Sequence, residues 1–84
     1  MQMPLCVLCL SKDKTVPTEH LHHIIQISTG ETEEDRLRLL LDPMNIIGLC
    51  QKCHSEVHGL YNTGKATETR IKLQDLRQEV ENAI

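Results

Sequence analysis

Two Cys-x-x-Cys pairs, Cys6 with Cys9 and Cys50 with Cys53, constrain this chain more than any other feature. No secretory pattern precedes them, so the chain reads as cytosolic, where disulfides are rare. Paired knuckles of this kind most often wrap one tetrahedral zinc through four thiolates. A redox Cys-x-x-Cys or a pair of disulfides are the rival readings, and both are weaker in a reducing compartment. A structural Zn2+ at Cys6, Cys9, Cys50 and Cys53 is therefore expected. Such a site contributes folding free energy directly, on the order of 10 kcal/mol or more.

The chain needs that contribution. With 84 residues, no Phe, no Trp and a single tyrosine, Tyr61, it has little to bury. A chain of this size is marginal without a staple. Aliphatic residues must supply the burial, and Leu21, Ile24, Ile25, Leu40, Ile46, Ile47, Leu49 and Leu60 are the core candidates.

Local signals give an α+β order of elements. Pro4 to Lys14 reads as a zinc knuckle and a polar turn with Lys12 and Lys14 exposed, ending near Pro17. Glu19 to Ile27 alternates well enough to be a strand, with His20 and His22 on one face and His23 on the other. Ser28, Thr29 and Gly30 break it. Thr32 before Glu33, Glu34 and Asp35 is a helix start, since a hydroxyl cap and an acidic first turn satisfy the free amides. Leu37, Leu40 and Leu41 are expected to form that helix's buried stripe, and Pro43 stops it near Asp42.

Asn45 to Leu49 reads as a second strand. Cys53 to His58 follows as a short helix with Gly59 as its cap. Gly64 marks a hinge. Ala66 to Ala83 is an amphipathic helix with Ile71, Leu73, Leu76, Val80 and Ala83 on its apolar side. The organisation expected is a zinc-stapled domain over residues 1–62 and a C-terminal helix over 63–84. The a/d-like spacing of that helix suits packing on the parent domain better than a coiled coil, with a homodimer through the helix as the alternative.

The formal charge of −3 is unusual for a chain that contacts phosphates, although a metal ion among the histidines would return positive charge. No apolar run is long enough to cross a membrane, and none is expected to.

The five histidines fall into two groups, His20, His22 and His23 on the first strand and His54 and His58 on the helix. Spacing of four places His54 and His58 on one helical face, able to grip one ion; an isolated pair of this kind would ordinarily be exposed polar surface. The shared zinc forces strand and helix together, so the groups can converge on a metal. Adjacent strand residues face opposite ways, so His22 can ligate while His23 addresses something beside the ion. That division suits metal-assisted hydrolysis, with one imidazole as general base.

These residues resemble the HNH endonuclease family. The resemblance rests on His22-His23-Ile24, on Asn45-Ile-Ile-Gly-Leu-Cys50, on Cys50-Gln-Lys-Cys53-His54 and on His58, and it spans Cys6 to His58. It implies a ββα-metal (His-Me finger) fold, in which two antiparallel strands and a helix hold one divalent cation. By position it makes His23 the general base, His22, His54 and His58 the metal ligands, and Asn45 the residue that fixes the loop between the strands and orients His23.

His20 stands where many members carry an acidic residue. Orienting a ligand, contacting phosphate and plain surface all stay open for it. The expected activity is hydrolysis of DNA phosphodiesters to 5′-phosphate and 3′-hydroxyl ends, with little base specificity. Mg2+, Mn2+, Ni2+, Co2+ or Zn2+ would serve as the catalytic ion. The acidic helix is expected to lie away from the cleft. A noncatalytic zinc-ribbon module binding nucleic acid or protein is the alternative, and an adaptor built on the tail helix a third. Neither needs a base and a ligand set together.

Overall fold

A computed structural model describes residues 4–83. Its elements are α1 (Val7–Leu10), β1 (His20–His23), α2 (Glu33–Leu41), β2 (Ile46–Leu49), α3 (Gln51–Asn62) and α4 (Ala66–Asn82), with 3-10 turns at Ile27–Thr29 and Pro43–Asn45. The α+β expectation holds. The strands β1 and β2 pair antiparallel, with His20 opposite Leu49, Leu21 opposite Gly48, His22 opposite Ile47 and His23 opposite Ile46. Directly opposed residues share a face, so His20 and His22 lie on the side of Ile47 and Leu49, both fully buried.

The first strand is shorter than the Glu19 to Ile27 run suggested. Beyond His23 the backbone spends its hydrogen bonds elsewhere. Ile24 N–H donates to the Asn45 carbonyl at 2.8 Å, Ile25 N–H donates to Asn45 Oδ1 at 2.8 Å, and the Ile24 carbonyl accepts from the Tyr61 hydroxyl. A segment whose donors and acceptors are taken by a loop and a side chain cannot continue a ladder.

Cys6, Val7, Leu8, Cys9, Ile24, Ile47, Leu49, Cys50, Cys53, Val57 and Leu73 make the core, with Val16, Tyr61, Leu76 and Val80 packed against it. Leu21, Leu40 and Leu60, expected inside, are exposed. Leu21 points to the sheet face opposite the core, and the whole of α2 stands outside it. Thr32 caps α2 as expected, its Oγ1 accepting from Asp35 N–H at 3.0 Å, and the helix stops before Pro43. The expected buried stripe is not there. Leu37 is 53% exposed, Leu40 43% and Leu41 65%, because α2 packs against the two neighbouring 3-10 turns and no described element covers its apolar side.

The first turn around α2 is held by close backbone approach at Gly30. A Cβ there would lie 2.8 Å from Arg36 N, and Arg36 Nη1 donates to the Gly30 carbonyl at 3.0 Å.

Gly59 does not end α3. The helix runs on to Asn62, because Val57 and Tyr61 sit on one side of it and bury against the core. That packing outweighs the roughly 1 kcal/mol a mid-helix glycine costs. The chain reverses instead at Gly64, whose φ of +83° is left-handed, with Lys65 N–H donating to the Leu60 carbonyl.

Helix α4 then lies back on α1, α3 and β2. Leu73 is fully buried and Leu76 and Val80 partly so, whereas Ile71, expected on the same side, is 54% exposed. Two residues from both Thr69 and Leu73, it falls on the far face. The a/d-like side of α4 is thus occupied within the fold. Arg77 shares that side and is 2% exposed.

Candidate functional site

The knuckles close as their spacing requires. The backbone around Cys9 forms a tight turn, its carbonyl accepting from Lys12 and Lys14 N–H at 2.9 Å each, while Cys50 stands at the N-terminal end of α3 and Cys53 in its first turn. The four sulfurs lie within 4.8 Å of one another, and Cys9 Sγ is 3.8 Å from Cys50 Sγ and 3.6 Å from Cys53 Sγ. Thiolates around a tetrahedral zinc stand roughly 3.8 Å apart, so the four sulfurs fit one such ion.

The cysteines are not chemically alike. The backbone amide of Cys53 favours the Cys50 thiolate and brings its pKa down to about 7 against the opposing effect of burial. Burial pushes Cys9 and Cys53 up.

The second cluster is built by β1 and α3. His22 is buried, His54 half-buried and His58 exposed, and a ligand nitrogen from each lies within 4.8 Å of the others. His54 and His58 bring their Nε2 atoms to 3.1 Å. His22 Nε2 is buried and, among the described residues, lacks a hydrogen-bond partner. An imidazole nitrogen desolvated without a partner is costly in a metal-free protein and fits a site whose missing partner is a cation.

Burial first, then the neighbouring charges of His54, His58 and His23, lowers the His22 pKa to about 4. Burial, His58 and His20 lower that of His54. Both imidazoles are thereby kept in the neutral form that a metal requires.

Surrounding side chains hold these rings. His20, on the same face of β1 as His22, stacks on His54 with ring centroids 4.8 Å apart and donates from Nε2 to Gln51 Oε1. Tyr61 meets His22 edge-on at 5.3 Å while its hydroxyl is tied to Ile24. Sequence spacing pointed to neither Gln51 nor Tyr61. The signal available for Tyr61 is its i+4 relation to Val57, which places it on the buried side of a helix that continues past Gly59.

His23 turns away from this cluster, as the pleat requires. Its Nε2 lies 3.4 Å from the Leu40 carbonyl at the C-terminal turn of α2, so α2 borders the cleft, contrary to expectation. The acidic first turn is nevertheless about 10 Å further along the helix. Asn45 is buried and hydrogen-bonds to the backbone on either side of His23's surroundings. Its Oδ1 accepts from Ile25 N–H at 2.8 Å, and its Nδ2 donates to the carbonyls of Ile25 at 3.0 Å and Leu39 at 2.9 Å. It fixes the loop directly and reaches His23 only through it.

Two antiparallel strands and a helix presenting three imidazoles, braced by a four-cysteine cluster, define a small metal-binding α+β domain. The model of the HNH endonuclease family matches residues 6–59. The chain belongs to that family. No curated protein and no solved structure matches it.

Proposed function

We propose that the protein is a metal-dependent endonuclease that hydrolyses DNA phosphodiester bonds, with His23 as general base. The observation that carries this reading is the division of two adjacent histidines. His22 joins His54 and His58 in a cluster that can hold one ion, and His23 stands beside it on the opposite face with its ring held at Leu40.

A carbonyl oxygen can only accept, so the Leu40 contact selects the tautomer with the proton on Nε2 of His23. That leaves the Nδ1 lone pair free to take a proton from water. Asn45 keeps the segments carrying His23 and the Leu40 carbonyl at a fixed separation, because one side chain bonds to both Ile25 and Leu39. A divalent ion bound by His22, His54 and His58 would supply stabilisation of charge on the phosphoryl group and the departing oxygen. Zinc at Cys6, Cys9, Cys50 and Cys53 would be structural.

A groove of about 540 Å³ beside the cysteine cluster offers Lys12, Lys14 and Lys52 for phosphate contact, set against Glu19 and Glu56 in the same lining. So few basic residues favour backbone contacts over base readout.

The test is a plasmid-cleavage assay on zinc-loaded protein with Mg2+, Mn2+, Ni2+, Co2+ or Zn2+ added in turn. Metal-dependent nicking or linearisation that is abolished in His23→Ala is expected. Wild-type protein inert with every ion would overturn the reading.

A further inference from the structure

Arg77 belongs to α4, beyond the segment that matches the family, yet it is among the most completely buried side chains in the fold. Its Nε donates to two carbonyls, Pro43 O and Ile46 O, each at 3.1 Å, and its Nη1 pairs with Glu81 Oε2 at 3.0 Å. Burying a guanidinium is unfavourable unless its donors are satisfied, so an arginine on the apolar side of a helix has a specific task. Here it grips both ends of one short turn. Pro43–Asn45 is that 3-10 turn, and Ile46 is the residue that follows it into β2.

Asn45 lies inside the gripped segment. From there its side chain holds Ile25 and Leu39, the neighbours of the strand that carries His23 and of the carbonyl His23 faces. An unbroken series of bonds therefore runs from Arg77 through the Pro43 and Ile46 carbonyls and Asn45 to the bed of His23. The metal cluster has supports that the turn does not supply, α3, Gln51 and Tyr61.

We infer that Arg77 is a positioning residue for the proposed base: it sets the Pro43–Ile46 turn so that Asn45 aligns His23, while leaving the metal ligands untouched. This rests on the nuclease reading. The tail helix is then a working part of the site and not an appendage to it.

Arg77→Lys keeps the charge and removes the Nε–H that the Pro43 and Ile46 carbonyls share. The comparison is Leu73→Ala, which loosens the packing of α4 but keeps the Arg77 hydrogen bonds to the turn. In zinc-loaded protein, assayed well below both melting temperatures, Arg77→Lys should lower kcat about 10- to 100-fold with KM and affinity for the exchangeable ion unchanged. Leu73→Ala should keep kcat. In NMR spectra the Asn45 side-chain amide of Arg77→Lys should shift and exchange faster with water.

An Arg77→Lys protein with wild-type kcat and an unmoved Asn45 amide overturns the inference, and so does an equal loss of kcat in Leu73→Ala. Should Arg77→Lys fail to fold, the wild-type protein decides: its Arg77 Nε proton must exchange slowly, and rapid exchange removes the clamp. A wild-type chain without cleavage activity defeats the nuclease reading alone, since the Asn45 amide still reports whether Arg77 sets the turn.

Discussion

The cysteine cluster is gathered from the α1 knuckle and the start of α3 and the histidine cluster from β1 and α3, and both can hold one ion, but they differ in burial. All four cysteines lie within the core cluster together with Val7, Ile47 and Leu49, whereas the three histidines grade from buried His22 to exposed His58. A metal enclosed by core residues is part of what folds the chain. A metal at an open rim can exchange and meet a substrate. Burial, more than ligand chemistry, separates the cluster suited to a structural ion from the one proposed to work on a substrate.

The sharpest way to break that comparison is at the cysteines. Cys9→Ser or Cys50→Ser should abolish cooperative folding, because a zinc there would contribute on the order of 10 kcal/mol to a chain with no Phe or Trp. Circular dichroism melts check this, and a wild-type transition in either variant would return the cluster to a redox reading.

Next in size, His23→Ala should cost about 100- to 10,000-fold in turnover while leaving the fold and both metal affinities in place. Single-turnover cleavage at saturating metal measures it, and retention of near-normal turnover would remove His23 as the base. His54→Ala should weaken the exchangeable ion by more than the about 10- to 100-fold that loss of a supporting residue causes, yet leave zinc bound. Calorimetric titration showing unchanged affinity would take His54 out of the ligand set.

The smallest effect concerns protons. His22 has a folded pKa lowered to about 4 by burial and by its histidine neighbours. The same side chain protonates near ~6.5 in an unfolded chain. Between those values the unfolded state binds the extra proton, so in the absence of the second ion folding stability is full above about 6.5 and declines as pH falls toward about 4. Denaturant titrations of zinc-loaded protein at neutral pH and near pH 5.5 should show a larger loss for wild type than for His22→Gln. Equal losses would mean that the His22 environment is not what resists protonation.

What could be seen from sequence alone were features whose cause is local. Thr32 and Pro43 bound α2 because capping and proline sterics act within a few residues, and Cys-x-x-Cys and His-x-x-x-His announce ligands because their spacing is fixed by turn and helix geometry. What escaped depends on partners distant in sequence. Leu37, Leu40 and Leu41 have the periodicity of a buried stripe, but nothing local says whether another element will cover it. Gly59 looks like a stop until Tyr61 is known to bury beyond it. Arg77 looks like one of several charges on α4 until the Pro43 and Ile46 carbonyls arrive beneath it.

The pairing of β1 with β2 carries a consequence for how this chain tolerates change. His22 and His23 are chemically identical, and only the odd-or-even count along the strand assigns one to the three-histidine cluster and the other to the opposite side. Adding or removing one residue within β1 would invert that parity, exchanging the two imidazoles without altering the composition of the site. Changes by two would preserve the facing but disturb the pairing. Asn45, bonded to both N–H and C=O of Ile25, fixes the backbone two residues past His23, so a miscounted strand would keep these bonds only by losing its pairing with β2. Length variation should therefore be confined to the excursion around α2, where an inserted residue changes no parity at all.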